Sequence, residues 1–243
     1  MLEKRLKHFY SGRNASQYET ARAKQRTWHT ENMLVPELIK RHVTEGETII
    51  DLPCGKGRWI TTFNDLRLNA IMIDISHDML QAARRNTSQF TDARFTFRHL
   101  DALSNSTQLP RADTLIMTRF LNLISLPKCS SLFDKALDSG VKKFIFTVRL
   151  RCGDSPILEQ LKTHAHISIK NVATILNIRK KSIYHLYPRS DFWSLLKKKH
   201  LFLREEVHMQ RIRDEVLIGA CLGQEAGSGN RNTRPLNNPL DSS

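Results

Sequence analysis

Residues 48 to 59, Thr-Ile-Ile-Asp-Leu-Pro-Cys-Gly-Lys-Gly-Arg-Trp, constrain this chain more than any other stretch. Ile49 and Ile50 lead into Asp51 as a buried parallel strand does on reaching its carboxyl end. Cys54-Gly55-Lys56-Gly57 then reads as a tight turn, because glycine, lacking a Cβ, lets the backbone bend sharply and approach a ligand closely. Strand, glycine turn and helix in that order is where doubly wound α/β proteins hold nucleotide-like cofactors. The spacing excludes two kinds. A dinucleotide fingerprint needs a third glycine where Ile60 stands, and a P-loop needs Lys-Ser or Lys-Thr where Arg58 and Trp59 follow Gly57.

The rest of the chain supplies the strands such a sheet requires. Asn69 to Asp74 reads as a second buried strand, ending in an acid 17 residues beyond Gly57. An acid near that distance accepts ribose hydroxyls in nucleotide-binding sheets. Ser76 is placed to cap the helix that follows. Ala93 to Arg98 alternates as a third strand before His99-Leu100-Asp101-Ala102, and Asp113 to Thr118 is a fourth, running into Arg119-Phe120-Leu121-Asn122. Lys142 to Arg149 is a β-rich fifth strand. A helix at Asp191 to Lys199 and strands at Leu201 to Gln210 and Glu215 to Cys221 close the fold. Before all of these, residues 1–45 read as an amphipathic helical segment, with Tyr18, Arg22, Trp28, Leu34, Leu38 and Ile39 at roughly helical spacing and Pro36 suited to a first turn. Residues 153–183 hold two short helices, Ser155 to Thr163 and Lys170 to Asn177, and 223–243 form a Gly, Asn, Ser and Pro-rich tail expected to be disordered.

Asp51, Gly55 and Gly57 resemble motif I of the class I S-adenosylmethionine (SAM) methyltransferases, an acid-x-Gly-x-Gly-x-Gly run at a strand end, with Pro53 in place of its first glycine. Asp74 and the Ile75-Ser76-x-x-Met79-Leu80-x-x-Ala83 run are similar to that family's ribose-binding position and the helix after it. Asp101 is similar to its adenine-contacting position, and Asp113 to Ile124 to its motif IV. The resemblance covers residues 45–150 well and 184–222 loosely. It implies a doubly wound, seven-stranded, mostly parallel sheet with an antiparallel last strand, an N-terminal helical lid (1–45) over a SAM-binding domain (46–222), and a basic helical insertion after the fifth strand (153–183) that would serve as a substrate cap. It further implies S-adenosyl-L-methionine as cofactor, contacted by Asp51, Pro53, Cys54, Gly55, Gly57, Arg58, Asp74, Ile75, Met79, Asp101, Ala102 and Thr118. A lid arginine, Arg22, would stand near the SAM carboxylate. Arg119 and Asn122 are the sequence-local candidates for a catalytic group, and the amino-methylating Asn/Asp-Pro-Pro-Tyr/Phe signature is absent. Methyl transfer to an oxygen or nitrogen of a small or phosphate-bearing acceptor is the expected reaction.

Charge keeps two other readings open. The chain carries a net charge of +14, and residues 162–204 hold ten Lys or Arg against one acid, Asp191. Such a segment suits an anionic partner, nucleic acid included. Residues 167–196, with Val172, Leu176, Tyr184 and Tyr187, also resemble the helix-turn-helix of tetracycline-repressor-type regulators. An RNA methyltransferase or nucleic-acid binder is therefore one alternative, and a non-catalytic SAM-fold scaffold is the other. Cys54, Cys129, Cys152 and Cys221 are scattered without metal-ligand spacing, which fits a reduced cytoplasmic protein. Met1 to Lys7 has no apolar run of signal-peptide length, and no stretch approaches the roughly 18 apolar residues of a membrane span.

Overall fold

The computed structural model describes residues 26–153, 157–175, 184–212 and 215–224. Tyr18, Arg22 and residues 225–243 of the expected tail lie outside them. The first two residues assigned to the tail, Gly223 and Gln224, are corrected to the end of the last strand, where their backbone is paired. Eight strands form one sheet: β1 (Thr48–Asp51), β2 (Asn69–Asp74), β3 (Arg94–His99), β4 (Thr114–Met117), β5 (Lys143–Arg151), β6 (Tyr187–Pro188), β7 (Leu201–Ile212) and β8 (Glu215–Gln224). Their main path runs β3-β2-β1-β4-β5-β8-β7, the seven strands expected. β6, the short strand that the family resemblance implies after residue 184, adds a parallel pair with β5 through Leu150 and Arg151. The first five strands are parallel, while β8 runs antiparallel between β5 and β7. Chain order reverses beside β1, so the carboxyl ends of β1 and β4 open a crevice there.

Period-2 patterning divides the core between two faces. On β4 and β5, Leu115, Met117, Phe144 and Phe146 point into one apolar cluster, which α4 (Leu126–Asp138) and α6 (Arg189–Lys197) cover. Ile116 and Ile145 point into the other, beneath α1 (Arg26–His42) and α2 (Ile60–Asp65). Helix α3 (His77–Thr87) buries Met79, Leu80 and Ala83, and Ser76 caps it by accepting the Met79 N–H. Helix α1 seats Val35, Leu38 and Ile39 with no exposed surface. Gly219 makes that fit: a Cβ there would stand 2.9 Å from Leu38 and 2.5 Å from Met209. Pro36 lies inside α1 and not in its first turn. It therefore removes one N–H from the helix ladder.

One expectation for the segment after β5 is corrected: one continuous helix, α5 (Ile157–Ile175), replaces the two short ones. The centre of the helix-turn-helix pattern, 176–183, lies outside the described residues. Tyr187 is a strand residue, 4% exposed, stacked on Phe192 with ring centroids 5.6 Å apart, and its hydroxyl donates to the carbonyls of Leu121 and Ile124. Tyr187 of the apolar spacing that suggested a DNA-reading motif is thus a core residue, whereas Val172 of the same pattern is exposed. Some of the basic side chains there are paired as well, Arg189 with Glu206 and Lys199 with Asp134. Among the described residues no helix is long and apolar enough to cross a membrane.

Candidate cofactor cleft

The glycine turn is tied into the sheet by its own backbone. Leu52 N–H donates to Ile116 O at 2.9 Å and Cys54 N–H to Ile73 O at 2.8 Å, so the loop leaving β1 is braced by both neighbouring strands. The Leu52–Pro53 peptide is cis. Gly55 and Gly57 both have positive φ, at 55° and 81°, where L side chains are strained. They differ in surroundings. A Cβ on Gly57 would sit 2.0 Å from the Ile60 side chain, whereas one on Gly55 would enter open space. That space is a cleft walled by Pro53, Cys54, Gly55, Lys56, Arg58, Trp59, Asp74, Ile75, Met79, Thr118, Arg119, Phe120, Leu123 and Trp28 of α1.

Two carboxyl groups underlie the turn. Asp74, 4% exposed, accepts the Gly55 N–H on Oδ2 at 2.9 Å and the Ser76 N–H on Oδ1 at 2.8 Å. Burial pushes its carboxyl up, and the backbone donors of Ser76, Gly55 and Ile75 oppose that shift. Asp51 is 1% exposed and neither of its oxygens has a hydrogen-bond partner. Its carboxyl is held well above the usual range, first by burial and then by the charge of Asp74. Buried polar atoms are ordinarily satisfied, so an orphaned carboxyl beside a cleft marks a place where a ligand or ordered water completes the bonding.

The other end of the cleft is cationic. Glu31 of α1, 1% exposed, receives Arg58 Nη1 at 2.8 Å and Arg119 Nε at 2.6 Å on one oxygen. Arg58 also donates to Asn32 Oδ1 and to Trp28 O, and its guanidinium lies 3.5 Å from the Trp28 ring centroid and 4.5 Å from that of Trp59. That sandwich fixes α1 to the glycine turn. Trp59 in turn donates its indole N–H to Thr118 Oγ1 at 3.2 Å. Arg119, at φ 58°, donates its backbone N–H to Thr147 Oγ1 and its Nη2 to Thr27 Oγ1. Its Nη1 is buried without a partner. One carboxylate against two guanidiniums leaves a positive charge at this end.

Of the residues singled out from sequence, Pro53, Cys54, Gly55, Arg58, Asp74, Ile75, Met79, Thr118 and Arg119 line the cleft together, while Asp51, at the end of β1, and Gly57, packed against Ile60, are not part of its wall. Asp101 and Ala102 do not. Asp101 turns its Oδ1 to the Leu103 N–H, and Ala102 borders a separate groove with Lys128 and Lys135. Asn122 is corrected from catalytic candidate to brace. Its amide donates to the carbonyls of Arg149 and His185, and its oxygen accepts the Arg149 N–H at 2.7 Å, so no polar atom is left for an acceptor. Glu31 and Phe120 were missed, and nothing local to either residue announces its role.

The sheet order, the crevice at β1 and β4 and the glycine turn over two acids together define the class I methyltransferase architecture. A family model described as a methyltransferase domain matches residues 43–205, and the chain belongs to that family of SAM-dependent methyltransferases. Among solved structures, it is similar to magnesium protoporphyrin IX methyltransferase from Synechocystis with bound S-adenosylhomocysteine (SAH), at 8% identity and a TM-score of 0.65, covering 93% of this chain and 100% of that one. It is similar as well to geranyl diphosphate C-methyltransferase from Streptomyces coelicolor, at 10% identity, TM-score 0.59 and 81% and 80% coverage. A SAM-dependent methyltransferase from Methanosarcina mazei matches at 16% identity, TM-score 0.58 and 77% and 96% coverage. At these identities the likeness is one of fold.

Proposed function

We propose that the cleft holds SAM across the glycine turn and that the enzyme methylates an oxygen or nitrogen of a small acceptor. The observation that carries the cofactor assignment is the pair Asp51 and Asp74 under a turn whose Gly55 opens directly onto the cleft. The residues fit the group. Asp74 keeps lone pairs for two ribose hydroxyls beyond the two N–H groups it already accepts, and Asp51 has both oxygens free to organise the turn's polar contacts. Met79 and Ile75 offer apolar surface beside the ribose. The partnerless Nη1 of Arg119 and the positive charge around it suit the methionine carboxylate, the role that the family resemblance implied for Arg22.

SAM, when bound, supplies an electrophilic methyl on its sulfonium. The chain's own contribution is then to align the acceptor and exclude water. Trp28, Trp59, Phe120 and Leu123 form the apolar walls that do so, and Trp28 is held in place through Arg58. The domain reading, a helical lid before a SAM-binding domain of residues 46–222, is supported by the contacts of Trp28 and Glu31 with the turn. Four scattered cysteines, none in a disulfide, support a reducing, cytoplasmic setting.

Incubation of the protein with methyl-labelled SAM and separate pools of small phosphorylated or carboxylated metabolites, prenyl diphosphates and RNA tests the acceptor class. Alkali- or acid-stable label in a small O- or N-nucleophile is expected. Label confined to carbon, as the name of the Streptomyces enzyme would suggest, or confined to RNA, overturns the acceptor assignment.

A further inference from the structure

Helix α5 turns one face to the body and leaves an apolar stripe on the other. Thr163, 2% exposed, and the half-buried Ile167 and Asn171 form the inner face. Asn171 clamps Tyr184 by donating to its carbonyl at 3.0 Å and accepting its N–H at 2.9 Å. On the outer face stand Leu161, Ile169 and Val172, exposed by 60%, 68% and 52%, with exposed Ala165 between them. Positions 161, 165, 169 and 172 fall on one line along a helix. Met33 is the other large apolar side chain so exposed among the described residues. No residue of α5 lines the cofactor cleft, so the stripe is not a wall of that site.

Charge selects the occupant. The exposed Lys162 borders the stripe, the half-buried Lys170 lies beyond it on the same side, and the chain carries +14 overall. A second copy laid on this face would oppose lysine to lysine, whereas an anionic bilayer answers both the stripe and the charge. A nucleic acid would answer the charge alone, because aliphatic side chains give bases nothing to stack on. The helix follows the carboxyl end of β5, where Arg151 meets His164, and this is the sheet edge on which the cleft opens.

We propose that α5 lies flat on an anionic lipid surface, with Leu161, Ala165, Ile169 and Val172 at the headgroup–acyl boundary and Lys162 and Lys170 at the phosphates. The cleft mouth is thereby brought to the membrane surface without any segment crossing it.

Flotation of the full chain with vesicles of phosphatidylcholine alone, or mixed with phosphatidylglycerol, tests this. The wild type floats with the anionic vesicles and not with the neutral ones. The Leu161→Gln/Ile169→Gln variant stays in the aqueous fraction while keeping the wild-type thermal melt and SAH affinity. Lys162→Gln/Lys170→Gln lowers the vesicle partition coefficient by about thirtyfold. A wild type that does not float, or a stripe variant that floats equally well, overturns the proposal. So does a wild-type dimer in light scattering that the stripe variant dissolves, since a second copy would then occupy the face.

Discussion

The carboxylate of Asp74, at the end of β2, holds the backbone N–H of Gly55, in the turn after β1, at 2.9 Å. One bond thus sets the distance between the acid assigned to the ribose and the part of the loop that opens onto the cleft.

The two glycines of that turn should respond differently to a methyl group. Gly57→Ala meets both a positive φ of 81° and the Ile60 side chain at 2.0 Å, so it should cost about 2–4 kcal/mol and lower Tm clearly. Gly55→Ala meets open space and costs about 1–2 kcal/mol for its φ. Its methyl enters the cleft, so calorimetry should show SAH affinity falling while the fold persists. Equal melts for the two variants would contradict this geometry.

Glu31 pairs with two largely buried guanidiniums at once. Removing one partner from a buried ionic group costs about 3–5 kcal/mol, so Glu31→Gln should lower Tm by roughly 10 °C. Adding Arg58→Leu removes one of the stranded charges, and the double variant should be less destabilised than the two single changes sum to. A strictly additive cycle would mean that Glu31 and Arg58 do not act on each other.

The carboxyl of Asp51 is held well above its ordinary value by burial. Between the unfolded value of about 4 and the raised folded value, the native state binds more protons than the unfolded chain, so this group makes stability fall as pH rises. Asp51→Asn removes that slope. Thermal melts across this range should show the variant gaining on the wild type as pH increases, while SAH affinity drops. A variant that loses ground with rising pH contradicts the sign.

Asn122→Ala tests the brace between the β4 loop, β5 and the approach to β6. Three bonds to buried backbone are lost, worth about 2–4 kcal/mol together. Tm should fall while SAH affinity at a temperature well below the melt stays at the wild-type value. Loss of affinity with an unchanged melt would return Asn122 to the site.

How much of this was legible follows from which residues carry local signals. Ile49, Ile50 and Asp51, like Ile71 to Asp74, are β-branched or apolar runs ending in acids, and each became a buried strand with its acid at the crevice. The break read between Thr163 and Lys170 is absent: residues 164–169 continue one helix, in which His164, His166 and Ser168 are exposed residues of the same segment. Tyr184 and Tyr187 were read as helix packing because apolar spacing does not say which element will use it. Glu31 carried no signal at all. It is one acid on an amphipathic helix, and its partners come from a turn and a strand end distant in sequence.

Calorimetric titration of SAH into the wild type and Asp74→Ala tests the central claim most directly. The account predicts saturable one-site binding by the wild type that is largely lost in Asp74→Ala, with both proteins melting as folded domains. A folded wild type that takes up no SAH, or an Asp74→Ala variant that binds it equally well, would contradict the placement of the cofactor in this cleft.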